Sequence, residues 1–172
     1  MMSYDSARKK VEEAEFFLRL MRRVERTGYS LDGSIDALSE YTFLLSGWLN
    51  ACYSVTAHLE ERGAREKAIA RAFRTHHARY YKHATGLRHV ATHIDSVAPG
   101  HHGYFPPRGF NVNLKLDQPQ NVVRGFAVPV ALGKDARYYY QHDTKAAAIG
   151  DLCDLHHREL RGLIDECDRG LA

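Results

Sequence analysis

The sequence predicts a mainly α protein: an up-down bundle of four to five helices with a β-hairpin inserted before the last helix. Two patterns carry this expectation. Apolar residues recur at three- and four-residue spacing in four separate stretches, which is the period of an amphipathic helix. Between the third and fourth stretches the period drops to two, the period of a half-buried strand.

The first series, Ala7, Val11, Ala14, Leu18 and Met21, lays one apolar stripe on a helix that should end near Thr27-Gly28. The second, Leu38, Tyr41, Leu45, Trp48, Cys52, Val55 and Leu59, is the most regular in the chain. Asp32 to Ser34 can cap its start, and Gly63 marks its end. A third helix is expected from Ala64 towards Val97, with Tyr80, Ala84, Leu87, Ala91 and Ile94 as its seam and Pro99-Gly100 as its stop. Thr75 and Gly86 are candidate breaks within it. The last helix starts near Asp143 or Thr144 and follows Ile149, Leu152, Leu155, Leu160, Leu163 and Cys167 towards Gly170.

Val112, Leu114 and Leu116 alternate with polar residues; Asp117 to Asn121 supplies a turn, and Phe126, Val128, Val130 and Leu132 alternate again. This is the expected hairpin. Pro129 has no N–H to give a ladder, so its arm should lie at an edge or open there.

With 172 residues the chain is long enough for one core, and 44% hydrophobic with 26% charged residues is a globular rather than a disordered balance. A single domain over 1–172 is expected, with 99–142 as a loop and hairpin insertion. The first residues carry charges of both signs and lack the pattern of a signal peptide. The apolar run Phe43 to Val55 is too short to span a bilayer. Three cysteines, Cys52, Cys153 and Cys167, form no CxxC pair and suit a reducing compartment, so a cytoplasmic protein without membrane contact is expected.

A net charge of +3 does not announce nucleic-acid binding, but its distribution is uneven. Arg62 to Ala98 holds eight bases against two acids and five of the eleven histidines, whereas Asp143 to Arg169 holds seven acids against four bases. The basic stretch is either a surface for phosphates or a solvated helix face.

Near the expected end of the third helix stands LRHVATH, Leu87 to His93. Arg followed by four residues and His occurs three times, at Arg71/His76, Arg88/His93 and Arg137/His142, where chance predicts about one. Only Arg88 is followed by an Asn, Asp or His, and only it lies just before an expected helix stop after two long amphipathic stretches. In this context the segment resembles the HEPN family, whose motif is Arg, four to six residues, then His. The stretch SEYTFLLSGWLNACYSVTAHLE, Ser39 to Glu60, and the closing DLCDLHHRELRGLIDECDRGL extend the resemblance over most of the chain except the hairpin.

The resemblance implies a metal-independent endoribonuclease, of toxin or defence type, acting as a homodimer in which paired Arg88 and His93 residues form one composite site and leave 2′,3′-cyclic phosphate and 5′-hydroxyl ends. His89, one helical turn before His93, shares its face. The chemistry suits the residues: imidazole moves the 2′-hydroxyl proton near neutral pH, and a fixed guanidinium charge stabilises the phosphorane. No cofactor and no metal are expected. An antitoxin or a nucleotidyltransferase is the implied partner, and a non-catalytic binding or partner module is the alternative function.

Blander readings stand beside these. Arg88 and His93 are otherwise idle surface residues, or His93 serves the helix end through its dipole. His89 and His93 could instead take a transition metal with Asp154 and His157 or His83, although no HExxH or paired ExxH motif accompanies them. His101-His102 are candidates by type only. His156 falls on the apolar stripe of the last helix and reads as a hydrogen-bonded core residue. Tyr138 to Tyr140 either stack on bases or pack. Ser46, Asn50 and Ser54 line one edge of the second helix, more simply as helix hydrogen-bonders than as site residues.

Overall fold

The computed structural model describes residues 4–83, 85–89, 99–101, 138–140 and 148–169. These residues are mainly helical. Helix α1 (Asp5–Thr27) and helix α2 (Ala37–Glu60) are the longest and pack against one another. Then come α3 (Ala64–His76), the short α4 (Ala78–Tyr81) and the single turn α5 (Leu87–His89). Strands β1 (Pro99–His101) and β2 (Tyr138–Tyr140) precede the last helix, α6 (Ile149–Arg169). Among the described residues no helix is long and apolar enough to cross a membrane.

Burial follows the predicted stripe on α1: Ala7, Val11, Ala14, Leu18, Met21 and Val24 are all buried. Gly28 ends the helix at φ 70, a left-handed conformation that costs glycine nothing, and its N–H bonds the carbonyl of Val24. On α2 the residues Tyr41, Leu45, Trp48, Cys52, Val55 and Leu59 are buried as the spacing predicts, each large apolar side chain contributing about 1.5–3 kcal/mol, whereas Leu38, the first of the expected series, lies in the first turn and is 37% exposed. The cap differs from the expectation. Asp36, not Asp32 to Ser34, is the N-cap, its carboxylate accepting from the Ser39 N–H at 2.9 Å. Asp32 instead accepts from the Ser34 N–H within the preceding loop.

The expected third helix is interrupted twice, close to its candidate breaks Thr75 and Gly86. At His77 the backbone leaves the helical region, with φ −99 and ψ 40, and at Lys82 it becomes extended, with ψ 130. The chain then turns back through a hydrogen bond from Gly86 N–H to the Lys82 carbonyl. A Cβ on Gly86 would sit 2.6 Å from Lys82 N and 2.7 Å from Lys82 O, so only glycine permits this close approach. Tyr80 and Leu87, two members of the predicted seam, do pack in or against the core.

On α6 the buried face is Ile149, Cys153, His156, His157, Leu160, Leu163, Ile164 and Cys167. Leu155, placed in the apolar series by sequence, is 48% exposed, because the stripe passes through Cys153 and His156 instead. All three cysteines are buried thiols.

Both arms of the expected hairpin, Val112–Leu116 and Phe126–Leu132, lie outside the described residues, as does the expected helix start at Asp143 or Thr144. Flanking the insertion, β1 and β2 pair antiparallel, with Pro99 opposite Tyr140, Gly100 opposite Tyr139 and His101 opposite Tyr138. Pro99-Gly100, expected as a helix stop, thus takes part in a short ladder. Tyr138 is buried and stacks on Tyr41 with ring centroids 4.1 Å apart, so this tyrosine packs in the core.

Candidate functional site

Arg88 sits in α5, half-buried against α2. Its guanidinium carbon lies 4.1 Å from the centroid of the Tyr53 ring, a cation–π contact that fixes a planar charge against the side of α2. A second guanidinium, that of Arg74 on α3, stands 5.5 Å from the same ring. Arg74 also bonds Glu60, and Arg71 Nε lies 3.4 Å from the same carboxylate oxygen. Tyr53 is therefore a platform for two cations from two different elements.

The backbone of His89 follows Arg88 in α5, whereas its side chain and the whole of His93 lie outside the described residues. On α2, Ser54 Oγ donates to the Asn50 carbonyl at 2.9 Å, an ordinary intrahelical bond.

Of the alternative metal set, His93 and the His89 side chain lie outside the described residues. Asp154 bonds Arg22 of α1, and His157 Nε2 lies 3.8 Å from Glu15 of α1, so both face the first helix. Among the described residues a different group meets: His77, His156 and Glu159, whose ligand atoms all lie within 4.8 Å of one another. His156 is 1% exposed, as its place on the stripe predicts, and its Nε2 shares a 2.6 Å hydrogen bond with the Tyr81 hydroxyl. Sequence reasoning missed His77 and Glu159. The His156-x-x-Glu159 spacing on one helix face was legible; the return of His77 from the end of α3 was not.

Between α1 and α6 runs a cleft of about 420 Å³ lined by Arg19, Arg22, Arg23, Arg26 and Arg161 together with Leu18, Glu15, Asp154 and His157. Arg22 is its structural centre. Its guanidinium reaches Asp154, Asp151 at 2.7 Å and Glu25 at 2.9 Å. Burial works against the Arg22 charge, yet the three carboxylates more than offset it and hold the proton more tightly than usual. Glu25 is 4% exposed, and burial raises its carboxyl above the ordinary range against the pull of Arg22 and Tyr41. The cleft thus joins a structural ion network to exposed arginines one helical turn or less apart.

Searches against family models, curated proteins and solved structures found no match to this chain.

Proposed function

We propose that the chain is an RNA-cleaving protein of HEPN type: a cytoplasmic, metal-independent endoribonuclease whose Arg88 and His93 act together across a homodimer. The observation that supports this reading most directly is the Arg88 guanidinium held over Tyr53. A cation that must stabilise a phosphorane works best when its position is fixed before the reaction, and stacking on an aromatic face fixes it without consuming its charge. His93, four residues further along the motif, would move the proton of the 2′-hydroxyl. In this reading the alternating arms Val112–Leu116 and Phe126–Leu132 form a hairpin between β1 and β2 that extends the bundle.

A second reading is favoured by the cationic cleft between α1 and α6. Exposed Arg19, Arg23 and Arg26 beside Arg161 suit an anionic partner, and a non-catalytic RNA-binding or partner module would use them without cleavage.

The test is incubation of the full chain with single-stranded RNA in excess chelator. Cleavage to 2′,3′-cyclic phosphate ends is expected, DNA should resist for want of a 2′-hydroxyl, and His93→Ala should lower the rate about a hundredfold or more. RNA bound but never cut would favour the module. Cleavage lost in chelator while the protein stays folded, or identical in wild type and His93→Ala, would overturn the nuclease.

A further inference from the structure

His156 is a buried imidazole with one nitrogen used and one unused. Its Nε2 is engaged by Tyr81, whereas Nδ1 is buried without a hydrogen-bond partner. That nitrogen points towards Glu159 one turn along α6, with Nδ1 to Oε2 at 3.8 Å. The same carboxylate oxygen lies 3.7 Å from Nε2 of His77, at the junction of α3 and α4. We propose that His77 Nε2, His156 Nδ1 and Glu159 Oε2 form a binding site for a divalent transition-metal ion of the zinc type, with water in the fourth position.

The geometry is close to what such an ion needs. Tetrahedral zinc with bonds of about 2.0–2.1 Å spaces its ligand atoms about 3.3 Å apart; the two contacts to Glu159 are near that spacing, and the three ligand atoms, all within 4.8 Å of one another, must draw together to reach it. The half-exposed Glu159 side chain and the His77 ring, which is 13% exposed, supply that movement, while the His156 ring is held in place. The His156 ring stacks on Tyr80 at 4.3 Å, with Trp48 edge-on at 5.7 Å and Phe73 at 5.5 Å. His77 is packed against Phe73 at 4.3 Å.

Tyr81 completes the arrangement. With a metal on Nδ1, His156 carries its proton on Nε2 and donates it to the Tyr81 oxygen, the outer contact that orients a ligating histidine. Burial also holds both imidazoles neutral, His77 below its ordinary range and His156 down to about 3, so no proton competes for the ligating lone pairs at neutral pH. Two nitrogens and one carboxylate favour zinc, cobalt or nickel over magnesium or calcium. Three protein ligands with an open position are the format of sites that keep an exchangeable water.

The site is independent of the nuclease reading, and Arg88→Ala should load metal as wild type does. The test is titration of the untagged full chain with Zn²⁺ by calorimetry and with Co²⁺ by visible absorption. One ion per chain is expected, with a raised Tm and a tetrahedral cobalt spectrum. Glu159→Gln and His77→Gln should each weaken binding at least about tenfold, as should Tyr81→Phe through its outer contact, whereas His58→Gln on α2 should leave it unchanged. Glu159 is exposed enough for its variant to fold, so the outcome does not hinge on core packing. Zinc binding weaker than about 100 µM, or affinity that Glu159→Gln and His77→Gln leave unchanged, overturns the site.

Discussion

The Tyr41 hydroxyl donates to Glu25 Oε1 across 2.9 Å, joining α2 to α1 inside the core. Both residues are buried, so the carboxylate depends on Tyr41 and Arg22 for its hydrogen bonds rather than on water. Tyr41→Phe keeps the ring and its stack on Tyr138 but removes a donor to a buried charge. A loss of about 1.5–3 kcal/mol is expected in urea unfolding, the range for hydrogen bonds to charged groups. A cycle with Glu25→Gln should show coupling between the two positions; additive losses would mean that the contact contributes nothing of its own.

Two helical glycines should respond in opposite directions to alanine. A Cβ at Gly47 would meet the Phe17 ring at 2.8 Å, whereas one at Gly162 meets nothing within 4 Å. Gly47→Ala is expected to destabilise by about 1–3 kcal/mol through overpacking of α1 on α2. Gly162→Ala should stabilise by about 0.5–1 kcal/mol, because it removes the backbone entropy cost of glycine from an exposed helix interior. Thermal unfolding of the two variants beside wild type checks both signs.

What was legible from sequence was what local periodicity controls. The stripes of α1 and α2 came out in register, apart from Leu38 at the exposed start of α2, because most of their buried residues are apolar; buried Glu25, Thr42 and Thr56 carry no such signal. On α6 the buried face includes Cys153, His156 and His157, and a reading that favoured leucines drew in Leu155 instead. The two breaks after α3 fall close to Thr75 and Gly86, candidates by residue type, but their exact places at His77 and Lys82 depend on backbone angles that have no apolar period. Contacts between distant segments were likewise out of reach. Arg22 meets Asp154 across 132 positions, and His156 meets Tyr81 across 75. Arg88 was singled out by its motif context, while its aromatic seat on Tyr53 emerged only from packing.

Asp36 gives a pH dependence with a definite sign. Its carboxylate accepts hydrogen bonds from both the N–H and the hydroxyl of Ser39, and these hold its pKa below the ordinary value. A folded-state pKa below the unfolded one means stability that is present above about pH 3.8 and lost as pH falls through the folded value. Asp36→Ala should therefore cost about 1 kcal/mol at pH 7, and the gap from wild type should shrink below about pH 4. Asp36→Asn keeps a capping oxygen without the titration and should show little loss at pH 7. Chemical denaturation of the three proteins at several pH values checks this.

The seat of Arg88 on Tyr53 separates what its charge does from what its shape does. Arg88→Lys keeps the charge but loses the planar surface that lies on the ring and the forked donors that match phosphate oxygens. If the proposed cleavage depends on a prepositioned cation, Arg88→Ala should lower the rate about a hundredfold or more, in line with removal of a donor to developing charge. Arg88→Lys should fall between the two, since a mobile ammonium supplies charge without position. Tyr53→Leu should then lower the rate with Arg88 still present, because the guanidinium loses its platform, and it should do so through kcat more than KM. Circular dichroism and Tm must stay close to wild type for each variant, as expected for half-buried positions at the edge of the core. Full activity in Tyr53→Leu beside a dead Arg88→Ala would show that the stack plays no part in positioning. Full activity in both would remove Arg88 from the chemistry.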